Sequence, residues 1–380
     1  MKKVIKTAHG KYLSAQPAGT FEVRDSVGEW EVFDFEDPSI NPSQPPNTPT
    51  PGGYSVSVGN PLNSKPFCRG AATANNAYFG EFADKRTDGG SIYKKHDRVA
   101  HLWRTDGNSW GVAAYVADVE SIHAMHSNPA GNGINFATEH NAKVYSMSDN
   151  GGLVQQYDFG SSRGVSIGAG ECGKFGELVA CSHFNGDAYI AGYRGAPWKN
   201  LYIIRNKFVW ALTEYKGALL AGCGYAGDFY HKHAGSIEQL EPGKKLITDP
   251  PYGFCKGFHK KHNVLYAMFG RHLAWTEDLI GWPSVEMPGN ACWSMVDTGP
   301  ETMIGIWYTS ARGSAAAGKP PGIWLVEFNV STQKVKILKH WAAPGMNAPY
   351  YTGGGLVGLH DFAVGFVTIQ GRSRSLKITW

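Results

Sequence analysis

The chain has 380 residues, with 36 Lys and Arg against 32 Asp and Glu and a formal net charge of +4. Charged residues make up 18%, below the roughly 25% of an ordinary globular protein. So small an excess of positive charge argues against a protein dedicated to binding nucleic acid. The 42% of hydrophobic residues exclude a disordered chain. The 48 glycines and 13% aromatic residues are typical of strands joined by tight turns, and they predict an all-β protein.

The first residues, Met1 to Gly10, lack the apolar run of a signal peptide, and no stretch of 18 apolar residues occurs in the chain. We therefore expect a protein that is not exported by the standard route and has no membrane partner. Its cysteines show no CxxC pair and no zinc spacing. We expect all of them to be reduced and buried. They lie at positions 68, 172, 181, 223, 255 and 292.

Residues 1–36 contain three short predicted strands. The order begins with a strand at Gly10-Lys11-Tyr12-Leu13, continues with a hairpin and ends with a strand at Trp30-Glu31-Val32-Phe33. This order resembles one repeat of the fascin-like β-trefoil, with its GxYL-type and WExF-type strands. One repeat cannot bury a core alone, so we predict a docking segment. Residues 37–53 hold six prolines and are predicted to form a stiff linker, with an ordered surface loop as the alternative.

From Tyr54 onward one element recurs seven times, an apolar strand that ends in a small residue or glycine. Counted from residues 77, 133, 187, 217, 263, 302 and 362, its mean spacing is about 48 residues, close to the roughly 40 to 50 residues of a four-stranded propeller blade. The repeat predicts a single β-propeller of seven blades, with six or eight as alternatives because the third repeat is short.

Ring closure supports this prediction. The last repeat has only three strands before Trp380, and propellers usually complete the last blade with a strand from the other end of the chain. The isolated strand at residues 54–58 has a suitable length. We therefore predict a propeller over residues 54–380 that is closed by this strand.

Three turns share a pattern of Ser, Thr or Asp followed by glycine and an apolar residue: residues 105–110, 148–153 and 276–282. They resemble degenerate Asp-boxes, the S-x-D-x-G-x-x-W hairpins of sialidase-type propellers. A Ser or Asp side chain closes such a turn on the backbone, and glycine supplies positive φ. The resemblance leaves open a carbohydrate-binding lectin, or a divergent glycoside hydrolase or polysaccharide lyase.

The sequence offers no catalytic set of the sialidase kind, a tyrosine with an acidic partner and an arginine triad. We therefore predict a non-enzymatic protein without catalytic residues or cofactor. His231 and His233 have the spacing of a metal-binding pair, which Asp228 would assist. The lysine between them favours a solvated turn, so no metal site is predicted.

The candidate binding site comes from loop placement. In a propeller blade, the connections between second and third strands emerge on one face, together with the links between blades. In this chain those connections are predicted to be long cationic segments, at residues 84–98, 194–199, 228–233, 310–319 and 371–374. They predict a basic binding face; solvated turns are the alternative. Trp198 is the aromatic residue expected to contact a partner. The predicted binding residues are Lys94, Lys95, Arg98, Arg194, Trp198, Lys199, His231, His233, Arg312, Lys319, Arg372 and Arg374.

A trefoil-like segment, a proline linker, a propeller poor in catalytic groups and no export signal together resemble phage tail components, in which propellers form nozzle or adsorption proteins. The resemblance implies a structural virion protein that docks other subunits or a host surface. The implied partners are copies of the chain itself or other virion proteins, with an anionic glycan as an alternative ligand. The implied location is the virion or the cytoplasm.

Overall fold

The computed structural model divides the chain into two compact units, Met1–Pro46 and Asn47–Trp380. In the first unit, β1 (Lys2–Val4) pairs with β4 (Val32–Asp34), and β2 (Tyr12–Ala15) pairs with β3 (Phe21–Arg24). The structure describes residues 2–4, 12–15, 21–24, 32–34, 48–49, 53–62, 67–81, 99–119, 121–139, 142–160, 164–183, 187–193, 197–225, 235–241, 244–248, 254–309, 322–342, 355–369 and 372–380.

The second unit is a seven-bladed β-propeller, as the repeat predicted. Two strands, β5 (Thr48–Pro49) and β6 (Ser55–Pro61), precede the blades. Blade 1 holds β7 (Phe67–Ala72), β8 (Ala77–Glu81), β9 (Val99–Thr105) and β10 (Trp110–Ala117). Blade 2 holds β11 (Ser121–Ser127), β12 (Gly133–Glu139), β13 (Lys143–Ser148) and β14 (Gly151–Asp158). Blade 3 holds β15 (Gly164–Glu171), β16 (Glu177–His183), β17 (Ala188–Tyr193) and β18 (Lys199–Ile204).

The remaining blades have the same order from the inside outward. Blade 4 holds β19 (Lys207–Tyr215), β20 (Ala218–Tyr225), β21 (Ser236–Glu241) and β22 (Lys244–Thr248). Blade 5 holds β23 (Cys255–Lys261), β24 (Val264–Phe269), β25 (His272–Thr276) and β26 (Ser284–Glu286). Blade 6 holds β27 (Met295–Asp297), β28 (Thr302–Thr309), β29 (Gly322–Asn329) and β30 (Lys334–Ala342). Blade 7 holds β31 (Val357–Leu359), β32 (Phe362–Ile369), β33 (Arg372–Thr379) and β6.

Burial falls from the inner to the outer strand of a blade. Every residue of β12, a second strand, is buried, whereas most of β14, a fourth strand, is exposed. Inner strands are packed on both faces by the neighbouring blades, so they are apolar almost without alternation. Seven hydrophobic clusters among the described residues fall between successive blades. These clusters hold the ring together.

Blade 7 takes its fourth strand from the beginning of the propeller unit. β6 pairs antiparallel with β33, with Ser55 opposite Thr379 and Val56 opposite Ile378. Val56 and Val58 are buried in the cluster between blades 6 and 7. Thr48–Pro49, which was predicted to lie in the linker, instead forms β5 and pairs with β6.

The strand order of blade 3 differs from the prediction. Residues 194–199 are predicted to join a second to a third strand, which requires residues 187–192 to form the second strand of their repeat. The strand there is β17, the third strand of blade 3. The second strand is β16, which begins at Glu177, 44 residues after the start of β12 at Gly133. β16 ends in Ser182 and His183 rather than a glycine step, which is why the repeat pattern missed it. Blade 3 therefore has all four strands.

The three turns with the shared pattern all join a third to a fourth strand, in blades 1, 2 and 5. Asp106 Oδ1 accepts hydrogen bonds from the backbone N–H groups of Asn108 at 2.9 Å and Ser109 at 2.8 Å. Asp278 Oδ1 closes the blade 5 turn in the same way. These bonds hold the pKa of both carboxyl groups below its usual value. Turn formation thus accounts for the pattern.

The described residues contain no α-helix long and apolar enough to cross a membrane. Five cysteines, at positions 172, 181, 223, 255 and 292, are free and buried. The side chain of Cys68 lies outside the described residues. Burial raises the pKa of the Cys292 thiol to about 12, so this thiol is un-ionised at neutral pH and reacts slowly.

Candidate functional site: a cluster in the propeller channel

Strand order gives the propeller two distinct faces. Because neighbouring strands are antiparallel, the second-to-third connections and the links between blades emerge on one face, which we term the link face. The first-to-second and third-to-fourth turns emerge on the other, which we term the turn face. Each inner strand begins at the link face and lines the central channel. Residues early in the inner strands therefore lie near the link-face mouth of that channel.

The inner strands of five successive blades carry a β-bulge at an equivalent position. The register of pairing shifts within each of them, so that one extra residue opposes the second strand. A bulge re-aims the side chain of the extra residue and is frequent beside functional sites. In blades 1 to 5 these residues are Arg69, His123, Ile167, Trp210 and Lys256.

Blade 6 has the same feature. Ala291 bridges to Tyr308, and Met295 pairs with Gly305, so four steps on the inner strand match three on the second strand. Trp293 lies in the interval between these two pairs. We term Arg69, His123, Trp210, Lys256 and Trp293 the channel cluster.

A small residue follows each bulge in blades 1 to 5, for a steric reason. A Cβ atom added to Gly168 would lie 2.8 Å from the backbone oxygen of Val209 in the next blade. Adjacent inner strands approach so closely that this position takes glycine or alanine. The five residues are Gly70, Ala124, Gly168, Ala211 and Gly257.

Arg69 reaches across the channel from blade 1. Its Nη2 donates a hydrogen bond to the Lys256 backbone oxygen in blade 5 at 2.7 Å, and another to the Trp210 backbone oxygen in blade 4. Its guanidinium carbon lies 4.9 Å from the centroid of the Trp293 ring. Only 8% of Arg69 is exposed. The arginine therefore connects blade 1 to the neighbouring blades 4 and 5 on the far side of the channel.

Lys256 lies among aromatic rings. Its Nζ is 5.0 Å from the Trp210 centroid and 4.6 Å from the Trp293 centroid, within the range of cation–π attraction. The same atom donates a hydrogen bond to Tyr308 Oη at 3.1 Å. Lys256 is partly exposed, whereas the other four members of the channel cluster are buried. It is thus the member that meets solvent in the channel.

Burial and the repulsion between like charges determine which side chains of the channel cluster are charged. Burial, and then the charge of Arg69, lowers the pKa of Lys256 to about 7. Burial, with the charges of Arg69 and Lys256, holds the pKa of His123 well below its usual value. His123 is therefore neutral, with its ring 5.2 Å from that of Trp293. Among the described residues, no carboxylate lies within ion-pair distance of the Lys256 ammonium.

The structure describes few of the predicted binding residues. Eight lie outside the described residues: Lys94, Lys95, Arg98, Arg194, His231, His233, Arg312 and Lys319. Arg372 begins β33, and only its backbone is described. Arg374 is half-buried on β33, opposite Val367, near the link-face end of that strand.

The structure corrects the prediction for one connection and its three predicted binding residues. The connection that holds Arg194, Trp198 and Lys199 joins β17 to β18, a third strand to a fourth. It belongs to the turn face rather than the predicted basic face, because the second strand of blade 3 was misassigned. Trp198 is not an exposed contact residue, since it is 9% exposed and packs in the cluster between blades 2 and 3. Lys199 is exposed.

Sequence reasoning missed the channel cluster because its members share a structural position and not a chemical type. The available signal was the recurring bulge residue followed by Gly, Ala or Ser. It reads Arg69-Gly70, His123-Ala124, Trp210-Ala211, Lys256-Gly257 and Trp293-Ser294. Among the residues the structure describes, no group of three His, Cys, Asp or Glu side chains is arranged to hold a metal ion.

No protein-family model matches the chain, and no curated protein matches its sequence. Solved structures do match. A chain of a mitotic checkpoint complex aligns with 94% of this chain and 99% of its own length, at 8% identity and a TM-score of 0.57. A catalytically inactive virginiamycin B lyase from Staphylococcus aureus, solved with quinupristin, covers 86% and 99% at 8% identity and 0.55. YCF48 bound to D1 peptide covers 86% and 96% at 10% identity and 0.50.

At such low identities these likenesses establish the fold alone. The chain is a seven-bladed β-propeller.

Proposed function

We propose that this protein is a non-enzymatic binding propeller whose link face docks an acidic surface of another protein subunit. The observation that carries the proposal is the position of the channel cluster, since two cations and three aromatic side chains meet near the link-face mouth of the channel. Four of the cationic connections in the sequence also join second to third strands, in blades 1, 4, 6 and 7. Both features support a positively charged link face, which would attract an acidic partner.

Protein complexes among the structural neighbours support the same proposal. One neighbour belongs to a mitotic checkpoint complex, and another is bound to a peptide. For the setting we propose a viral assembly, because the trefoil-like segment, the linker and the propeller together resemble phage tail components. The partners would then be other virion proteins or further copies of this chain.

Charge reversal on the two faces tests the docking surface. Changing Lys94, Lys95, Arg312 and Arg374 to Glu should abolish incorporation into the native assembly, because several positive charges act jointly while single exposed pairs contribute only about 0.2 to 1 kcal/mol each. The matched control reverses Arg194 and Lys199 on the turn face and should assemble normally. Equal assembly of both variants, each with a wild-type melting temperature, would contradict the proposal.

Carbohydrate binding is the second candidate, and the recurring Asp-closed and Ser-closed turns of blades 1, 2 and 5 favour it. Under this alternative the protein is a lectin for an anionic glycan, or retains glycoside hydrolase or polysaccharide lyase activity. A monomeric mass in solution, together with a positive glycan-array signal, would favour it over assembly.

A further inference from the structure

Lys256 is a partly exposed residue whose ammonium group lies in an otherwise buried, aromatic cluster. An ammonium group carries three N–H donors, and in the described structure one of them has an acceptor, Tyr308 Oη. The remaining neighbours at short distance are ring faces, including those of Trp210 and Trp293. Ring faces attract a cation but do not replace an anionic partner. A buried cation of this kind is stabilised by an anion that enters the channel.

The surroundings indicate which anion fits. A phosphate group carries close to two negative charges and is held by several converging N–H donors or by arginine forks. Here Arg69 already directs Nη2 to two backbone oxygens, and Lys256 supplies a single ammonium. The walls are apolar, with the Trp210 and Phe254 rings stacked at 5.4 Å. Arg69 adds a second positive charge, but Lys256 is the cation that is partly exposed in the channel. One ammonium group among aromatic walls matches one carboxylate attached to an apolar group.

We propose that Lys256 is the recognition group of a carboxylate site in the propeller channel, entered from the link face. The carboxylate accepts a hydrogen bond from Nζ, and its apolar stem packs against Trp210 and Trp293. Its source is either a partner's peptide chain terminus or a small free acid. The proposal rests on the proposed function and deepens it, because it names the chemical group that the link face takes up.

The affinity should depend on pH in a defined direction. The charged and titratable groups that face Lys256 are Arg69, His123 and the Tyr308 hydroxyl, and of these only Arg69 is charged near neutral pH. A carboxylate binds the protonated amine and raises its pKa. Affinity is therefore constant between about pH 5, where the ligand carboxylate is ionised, and about pH 7, and it falls about tenfold per pH unit above pH 7.

Calorimetric titration of the full chain tests the proposal with four probes. Two are carboxylates, benzoate and the peptide acetyl-Gly-Gly-Phe with a free C-terminus; the other two are the amide of that peptide and inorganic phosphate. We expect a carboxylate to bind, and the amide and phosphate to bind at least about tenfold more weakly. Binding by the peptide acid alone assigns the site to a chain terminus, and binding by benzoate alone assigns it to a small acid.

Three variants identify the binding group. Lys256→Met should weaken carboxylate binding at least about tenfold, while the matched control Lys260→Met, an exposed lysine on the same strand, should leave it unchanged. Lys256→Arg keeps the charge at every working pH and should bind without the pH dependence. This variant keeps the test decisive even if Lys256→Met fails to fold.

The binding experiments distinguish failure of the carboxylate site from failure of the proposed docking surface. Carboxylate binding that survives Lys256→Met, a wild-type pH profile in Lys256→Arg, or no carboxylate binding by the wild type would overturn the carboxylate site. None of these results affects the charge-reversal test of the link face. Loss of assembly in the charge-reversed protein with intact benzoate binding would support both proposals.

Discussion

At the scale of single residues, the bulge position of each inner strand decides what the channel contains. The bulge recurs in blades 1 to 5, yet the residue presented is an arginine, a histidine, an isoleucine, a tryptophan or a lysine. Because most residues of the channel cluster are buried, a charged side chain at this position interacts strongly with its neighbours. The channel is thus specified by a few single residues on a uniform scaffold.

The low pKa of Lys256 gives a prediction about stability. The unfolded chain protonates this lysine up to about pH 10.5, whereas the folded chain releases the proton near pH 7. Between those values the unfolded state binds more protons, so wild-type stability rises with pH. Below about pH 7 the folded protein bears the full cost of the buried charge. We expect Lys256→Met to raise the melting temperature most at about pH 6 and progressively less toward about pH 9.

Melting curves of the wild type, Lys256→Met and Lys260→Met across this range provide the measurement. Lys260 is exposed beside Glu214, so its replacement should shift the melting temperature equally at every pH. A Lys256→Met effect that is independent of pH would show that the ammonium is not held in the folded state with a lowered pKa.

At the scale of strands, the sequence predicts the recurring second strands well and the bulges not at all. Six of the seven recurring elements are second strands, because these strands are buried on both faces and leave an uninterrupted apolar signature. The remaining element, at residues 187–192, belongs to β17, a third strand. The second strand of that blade, β16, ends without a glycine step, so the repeat pattern did not detect it. A bulge adds one residue without changing composition, so only the pairing register reveals it. The channel cluster was invisible for the same reason.

The closing strand gives a prediction at this scale. Removing residues 1–53 leaves β6 in place, whereas removing residues 1–58 deletes Val56 and Val58 from the cluster between blades 6 and 7. Burial of one valine contributes about 1.5 to 3 kcal/mol, and β33 would also lose its partner strand. The longer deletion should therefore melt at a distinctly lower temperature than the shorter one. Equal melting temperatures in calorimetry would contradict closure by β6.

At the scale of the whole molecule, the outer strands differ in how they protect their edges. The outer strand of blade 6, β30, carries Lys334, Lys336 and Lys339. The outer strand of blade 1, β10, has no charged residue, and it exposes 49% of Val112 and 68% of Tyr115. An uncharged, apolar edge is prone to pair with another chain. Self-association of the propeller should therefore begin at blade 1.

Changing Val112 and Tyr115 together to Lys should reduce concentration-dependent association, measured by sedimentation. Both side chains are exposed, so the free energy of unfolding should change by no more than about 0.5 kcal/mol. Ile337→Lys is the matched control, since Ile337 is exposed on β30 among lysines, and it should leave association unchanged. Identical sedimentation of all three proteins would exclude β10 as the contact edge.

The pairing of β6 with β33 also has a consequence for synthesis of the protein on the ribosome. β6 is translated six whole blades before its partner strand. Throughout that time its hydrogen-bonding edge toward β33 has no native partner, while the blades between them condense one after another from local contacts. A nascent chain that stalls within these blades would present an open strand to its neighbours on the same messenger RNA. Slow translation of this region should therefore promote exchange of β6 between chains more than slow folding of any single blade.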